Sequence, residues 1–140
     1  MSDSVLDRFN RPAAKAASPS VLASVEPDPE ELDDYGAFGW LRGVRDKAIM
    51  LELRRKDGSV RAIGYAWLPV IDFDPSKGIT LTYHGTKILI IGRNLNAENR
   101  PNIRLFQGIV RHRVPFIQEA DRASIMMAEP AATIVERIEW

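Results

Sequence analysis

Between residues 49 and 68 hydropathy alternates with a period of two, and the alternation breaks once, at Lys56-Asp57-Gly58-Ser59. Ile49, Leu51 and Leu53 fall on one side of an extended chain, with Met50, Glu52 and Arg54 on the other. Asp-Gly supplies the positive φ that a tight turn requires, so the pattern calls for two antiparallel strands joined by a hairpin. The return run over 60–68 sets Arg61, Ile63, Tyr65 and Trp67 against Val60, Ala62, Gly64 and Ala66. Small residues on one face and aromatic ones on the other describe a sheet covered on both sides. Gly64 marks either a strong bend or a tolerated weak point.

The chain then continues as strands. Pro69 and the segment 72–78 interrupt the pattern, after which Ile79, Leu81 and Tyr83 alternate with Thr80, Thr82 and His84. Gly85 separates this run from Ile88-Leu89-Ile90-Ile91, apolar at successive positions, as in a strand buried on both faces or lying at a subunit seam. Gly92 closes that run, and 93–102 reads as a polar, asparagine-rich loop. A further strand is expected over 103–117, bent near Gly108 and limited at Pro115. The expected fold class is therefore mainly β, a small strongly bent sheet or barrel of five to six strands with short flanking helices.

The flanks carry the helical signals. Leu32, Tyr35, Phe38 and Leu41 recur every three residues behind acids, which predicts one or two helical turns that Gly36 and Gly39 weaken. Trp40 reads as a core or interface aromatic. A helix is expected over 118–128, with Ile117, Ala120, Ala123, Ser124 and Met127 as a stripe, Glu119 and Asp121 at its N-terminal end and Pro130 stopping it. Residues 131–138 fit helix or strand equally, and Trp140 reads as either an interface anchor or an exposed end.

Composition divides the chain. Residues 1–28 hold Pro12, Pro19 and Pro27 among alanines and serines, a disordered tail by composition, with Val5, Leu6 and Phe9 spaced for one short helical turn or docking patch. One domain is expected over 30–128, an Sm-like or SH3-like barrel with flanking helices, followed by an extension over 129–140. Residues 35–118 carry 14 bases against 6 acids, while residues 1–34 hold 8 acids against 3 bases and residues 119–140 hold 5 acids against 2 bases. The near-neutral total thus conceals a basic middle between acidic ends. The longest apolar runs fall well short of the roughly 20 residues that cross a bilayer, so no membrane association and a cytoplasmic location are the default expectation.

Chemistry is sparse. The absence of cysteine removes disulfides and thiolate ligands or nucleophiles. His84 and His112 lack the local carboxylate and histidine spacing of a metal site and read as surface or interface histidines. Asp72 and Asp74 share a side of an extended chain, but Pro75 and Gly78 point to structural capping rather than to an acid and base pair. No catalytic, cofactor or metal residue is assigned, and an enzyme is not expected.

Two motifs carry a resemblance. Asp74-Pro75-Ser76-Lys77-Gly78 precedes the apolar strand Ile79-Thr80-Leu81, and Leu89-Ile90-Ile91 ends in Gly92-Arg93-Asn94. Together with the order of a short helix and five bent strands over 33–118, they resemble the Sm and Sm-like small β-barrel family. Lys77 and Gly78 stand where that family has Met and Asn, and Ile91 where it has arginine. The resemblance implies a ring or other homo-oligomer made by strand pairing. Ile88, Ile90 and Ile91 are then the candidate oligomer interface. The expected function is a non-enzymatic, homo-oligomeric binding or assembly module, with another protein as a further partner. The alternative is RNA or single-stranded DNA bound on the basic barrel surface, with Lys77, Arg93, Asn94, Arg104, Arg111 and Arg113 as candidate contacts.

Overall fold

The hairpin forms where the alternation places it. In a computed structural model, which describes residues 32–43 and 45–140, β3 (Met50–Arg54) pairs antiparallel with β4 (Val60–Gly64) in the register Met50↔Gly64 to Arg54↔Val60. Gly58 at φ +96° supplies the turn, and Asp57 Oδ1 accepts from the Ser59 amide at 2.8 Å. The expected tail over 1–28, with Val5, Leu6 and Phe9, lies outside the described residues.

The return strand is shorter than the alternation predicts. At Tyr65–Trp67 the chain turns into a 3-10 helix, with Tyr65 N–H donating to Ile49 O at 3.0 Å and Leu68 N–H to Tyr65 O at 3.2 Å. Pro69, which has no N–H to offer a ladder, follows. This break puts β5 (Val70–Asp74) into a different sheet from β4. β5, β6 (Gly78–Tyr83), β7 (Thr86–Arg93) and β9 (Ile134–Glu139) form an antiparallel four-stranded sheet in that order. The β6–β7 connection is the two-residue turn His84-Gly85, both at positive φ (48° and 75°), the geometry that matches strand twist.

The expected strand over 103–117 is not one. Leu105–Val110 forms helix α1, and only Phe116–Gln118 is extended, as β8, lying parallel to β3 in the sheet order β4-β3-β8. Gly108 explains the difference: a Cβ there would lie 2.5 Å from Trp40 and 2.7 Å from Val114, so the residue read as a strand bend is where a helix meets an indole. Nor are there helical turns near residue 32. Leu32–Asp34 (β1) and Gly39–Leu41 (β2) form a hairpin, because Asp34 Oδ1 accepts from Gly36 N–H at 2.8 Å and Gly36 adopts φ +82°. The expected helix over 118–128 shrinks to α2, Arg122–Met127, capped by Asp121 Oδ1 accepting from Ser124 N–H at 2.7 Å. Residues 131–138, open between helix and strand, contribute β9.

These sheets are open. Among the described residues no strand closes any of the three sheets on itself, so the fold is neither the strongly bent barrel nor the Sm-like fold that the resemblance implied. The core fills the space between them. Leu51, Leu53, Ile63 and Ile117 from one sheet and Ile79, Leu81, Ile88, Ile90 and Ile138 from the other belong to a single buried cluster with Phe38, Leu105 and Ile109. Register makes the rows: Phe73, Ile79, Ile90 and Ile138 face one another across four strands, and Ile71, Leu81 and Ile88 form the next row. Leu32–Trp140 is one compact unit.

Candidate functional site

The basic residues singled out in the sequence sit on several elements rather than on one strand. Arg104, Arg111 and Arg113 were expected along one extended strand, but α1 separates the first from the others. Arg104 donates to Asn96 O at 3.4 Å. Arg113 reaches the carbonyls of Gly43 and Asp46, with its guanidinium carbon 5.7 Å from the Trp40 ring centre. Arg111 caps the end of α1 and is exposed. Arg93 pairs with Glu136 at 3.5 Å. Asn94, at φ +55°, donates from Nδ2 to Pro130 O and Ala132 O, both at 2.9 Å, and so clasps the segment before β9. Thr133 Oγ1 completes the clasp by donating to Asn94 O at 2.8 Å.

The isoleucine run is also placed differently. Ile88 and Ile90 are wholly buried in the chain's own core, while Ile91, on the other face of the strand, is half-buried. β7 lies between β6 and β9, with Ile88 and Ile90 on its buried face and Leu89 and Ile91 half-buried on the other.

Lys77 and Asn94, from the two motif segments, do line one cleft. Its cavity volume is about 400 Å³, between the β5–β6 turn and the loop after β7, with Phe73, Ile91, Leu95 and Asn96 among its walls. Gly78 and Gly92 permit the strands below it: a Cβ on either would lie 2.1 or 2.0 Å from the carbonyl oxygen of Ile90 or Ile134. Asn96 Oδ1 is buried without a hydrogen-bond partner. Asp74 beside the cleft accepts from the Ser76 hydroxyl at 2.7 Å and amide at 2.8 Å, bonds that hold its carboxyl below the usual range. It is a turn cap, as its neighbours Pro75 and Gly78 implied, and among the described residues no group of three His, Asp or Glu is arranged to hold a metal ion.

A different surface is apolar and uncovered. Ile49, Met50 and Trp67 are 71%, 45% and 60% exposed. Met50 and Trp67 meet at Gly64: a Cβ there would lie 3.0 Å from Trp67 Cδ1 and 3.7 Å from Met50 Sδ, and Met50, which Ile49 precedes in the chain, is the register partner of Gly64. His84 extends the patch, its ring centre 5.3 Å from that of Trp67. Sequence periodicity placed Trp67 on a strand face with Tyr65. The 3-10 turn separates them, burying Tyr65 and leaving Trp67 outside. Pro69, two residues on, was the signal that the strand could not continue.

The outer sheet edges differ in the same way. β9 is covered by the chain after β8: Ala120 N–H donates to Val135 O at 2.8 Å and Glu119 Oε2 accepts from Ile138 N–H at 2.7 Å. β8 is bridged by Phe38 and by the Gln118 amide to Ala37 O at 2.8 Å. Among the described residues no strand pairs with the outer edges of β4 or β5. Trp140, undecided from sequence, packs inward under Arg55, whose guanidinium carbon is 3.5 Å from its ring centre. Among the described residues no helix is long and apolar enough to cross a membrane. No protein-family model, curated protein or solved structure matches this chain.

Proposed function

We propose that this chain is a non-enzymatic, homo-oligomeric assembly module whose subunits meet through the Ile49, Met50 and Trp67 surface. The observation that carries the reading is an exposed apolar surface on which Met50 and Trp67 meet at Gly64, set beside a strand edge with which no strand among the described residues pairs. Large aromatic side chains left in water are what protein contacts use as anchors. An unpaired edge adds main-chain donors and acceptors that another strand satisfies. The partnering of Arg93, Arg104 and Arg113 within the chain supports assembly over a phosphate track, since each guanidinium is committed to a carboxylate or to main-chain carbonyls.

Light scattering behind a sizing column, run on the full chain at low micromolar concentration and above, tests it. The expected result is a mass above 15.7 kDa that rises with concentration. Trp67→Lys should return the monomer without loss of folded signal, because the indole lies on the surface. A parent chain that stays at 15.7 kDa throughout would remove the reading.

A further inference from the structure

We infer that two copies pair through β4, antiparallel, about a twofold axis beside Ala62. This rests on the assembly reading above and names the edge that performs it.

The first step is which groups point outward. Arg55 N–H donates to Ser59 O at 2.8 Å and Tyr65 N–H to Ile49 O at 3.0 Å, while Glu52 N–H turns the other way, to Pro115 O beside β8. Hydrogen-bonding direction alternates along a strand of an antiparallel pair. The odd-numbered residues of β4 therefore bond to β3, and Val60 and Ala62 present their N–H and C=O groups, and Gly64 its N–H, to an edge with which no strand among the described residues pairs.

The second step is charge. Edges that avoid pairing carry charges. β5, the other open edge, has Asp72 and Asp74 exposed on one face, and two such edges would bring like charges together. The outward-bonding residues of β4, Val60, Ala62 and Gly64, carry none.

The third step is self-complementarity. A twofold at Ala62 sets Val60 of one copy opposite Gly64 of the other. Val60 is 55% exposed, and Gly64 is covered by its own Trp67, whose Cδ1 lies 3.0 Å from where a Cβ would stand, so the valine meets the indole of its mate. The exposed valine of each copy thus lies over the exposed apolar patch of its mate, twice by symmetry. Beyond Val60 the hairpin tip carries Asp57, which the same operation brings toward the His84 end of the opposite patch. The strand is only five residues long, so the contact is small and dissociates on dilution.

Ala62→Cys tests the geometry directly, because the chain has no other cysteine. Directly opposed residues bonding in an antiparallel pair have Cα atoms about 5.5 Å apart, within the roughly 4.4–6.8 Å span of a disulfide. Mild oxidation of full-length Ala62→Cys should give a covalent dimer on a non-reducing gel, whereas Asp72→Cys, on the β5 edge, should stay monomeric on that gel. Val60→Lys should lower the dimer fraction of the unmodified chain in light scattering. If the parent chain associates but Ala62→Cys does not cross-link, or cross-links no better than Asp72→Cys, pairing through β4 is overturned and the assembly reading stands. If the parent chain is a monomer at every concentration, both fall.

Discussion

Glu119 is the residue whose replacement should disturb this fold most for its size. It is 8% exposed, follows directly on β8, and uses both carboxylate oxygens on main-chain donors: Oε1 accepts from Lys56 N–H at 2.9 Å and Oε2 from Ile138 N–H at 2.7 Å. One side chain therefore ties the β3–β4 hairpin turn to the edge of β9 in the other sheet. Glu119→Ala removes both acceptors, but the two losses are unequal. Lys56 is exposed, so water replaces its partner and the net loss is about 1 kcal/mol. Ile138 is buried, and its N–H, left dry, costs about 2–3 kcal/mol. The sum, about 3–4 kcal/mol, is a large share of the roughly 5–15 kcal/mol of a typical domain, and at about 4–8 °C per kcal/mol it lowers Tm by more than 12 °C. Glu119→Gln keeps one acceptor oxygen and turns an amide N–H against the other donor, so it should lose about 2 kcal/mol. Urea unfolding followed by tryptophan fluorescence, at one fixed protein concentration, reads both. If Glu119→Ala unfolds within about 0.5 kcal/mol of the parent with an unchanged slope, the clamp does not hold the sheets together.

Three further outcomes are expected. Gly92→Ala should destabilise by about 2–4 kcal/mol in the same assay, since its Cβ would sit 2.0 Å from Ile134 O and 3.0 Å from Val135 Cα, both main-chain atoms at the β7–β9 bulge. Burial pushes the Tyr65 phenol, which donates to Val114 O, above its usual 10.0. The folded chain thus keeps a proton that the unfolded chain releases, and stability present below pH 10 is lost as pH rises beyond it; Tyr65→Phe, weaker at neutral pH by about 1–3 kcal/mol, should show a shallower alkaline decline. Hydrogen bonds from the side chain and amide of Ser59, of Ser76 and of Ser124 lower the carboxyls of Asp57, Asp74 and Asp121 below 3.8, so their contribution is complete above that pH and is lost as pH falls further. Replacing all three with Asn should make the urea midpoint fall less steeply than the parent's as pH is lowered below about 4.

What could be read in advance was local. Asp57-Gly58 placed the first hairpin, Gly85 the next turn, and the alternation of Ile79, Leu81 and Tyr83 the strand between them, because each signal resides in a few adjacent residues. The failures share one cause. Gly39 and Gly108 were weighed as a weak point in a helix and a bend in a strand, whereas each sits where another part of the chain decides its use: Gly39 lies beneath Phe116, and Gly108 beneath Trp40. Nothing near residue 108 in sequence announces an indole from residue 40. The same holds for Glu119, which fitted the start of a helix by position and acts instead on Lys56 and Ile138. The barrel expectation failed at Tyr65–Trp67, where one turn before a proline divides a run of alternating residues between two sheets.

The basic middle of the chain has a second use that a charge count conceals. Arg55 donates to Ile138 O at 3.1 Å and to Trp140 O at 3.4 Å while lying over the Trp140 ring, and Arg61 reaches Tyr83 Oη at 3.4 Å beside the same indole. With Arg104 on Asn96 O and Arg113 on Gly43 O and Asp46 O, these guanidiniums bind carbonyl oxygens or a phenol. Arginine suits the task because a planar fork with several donors can span neighbouring carbonyls and stack on an aromatic face, which a lysine ammonium cannot do together. Small open sheets leave main-chain carbonyls that no strand satisfies, and here cations rather than further strands cover several of them. The excess of arginine over 35–118 is thus partly a structural consequence of sheets that do not close, and among the described residues no strand pairs with the outer edges of β4 and β5.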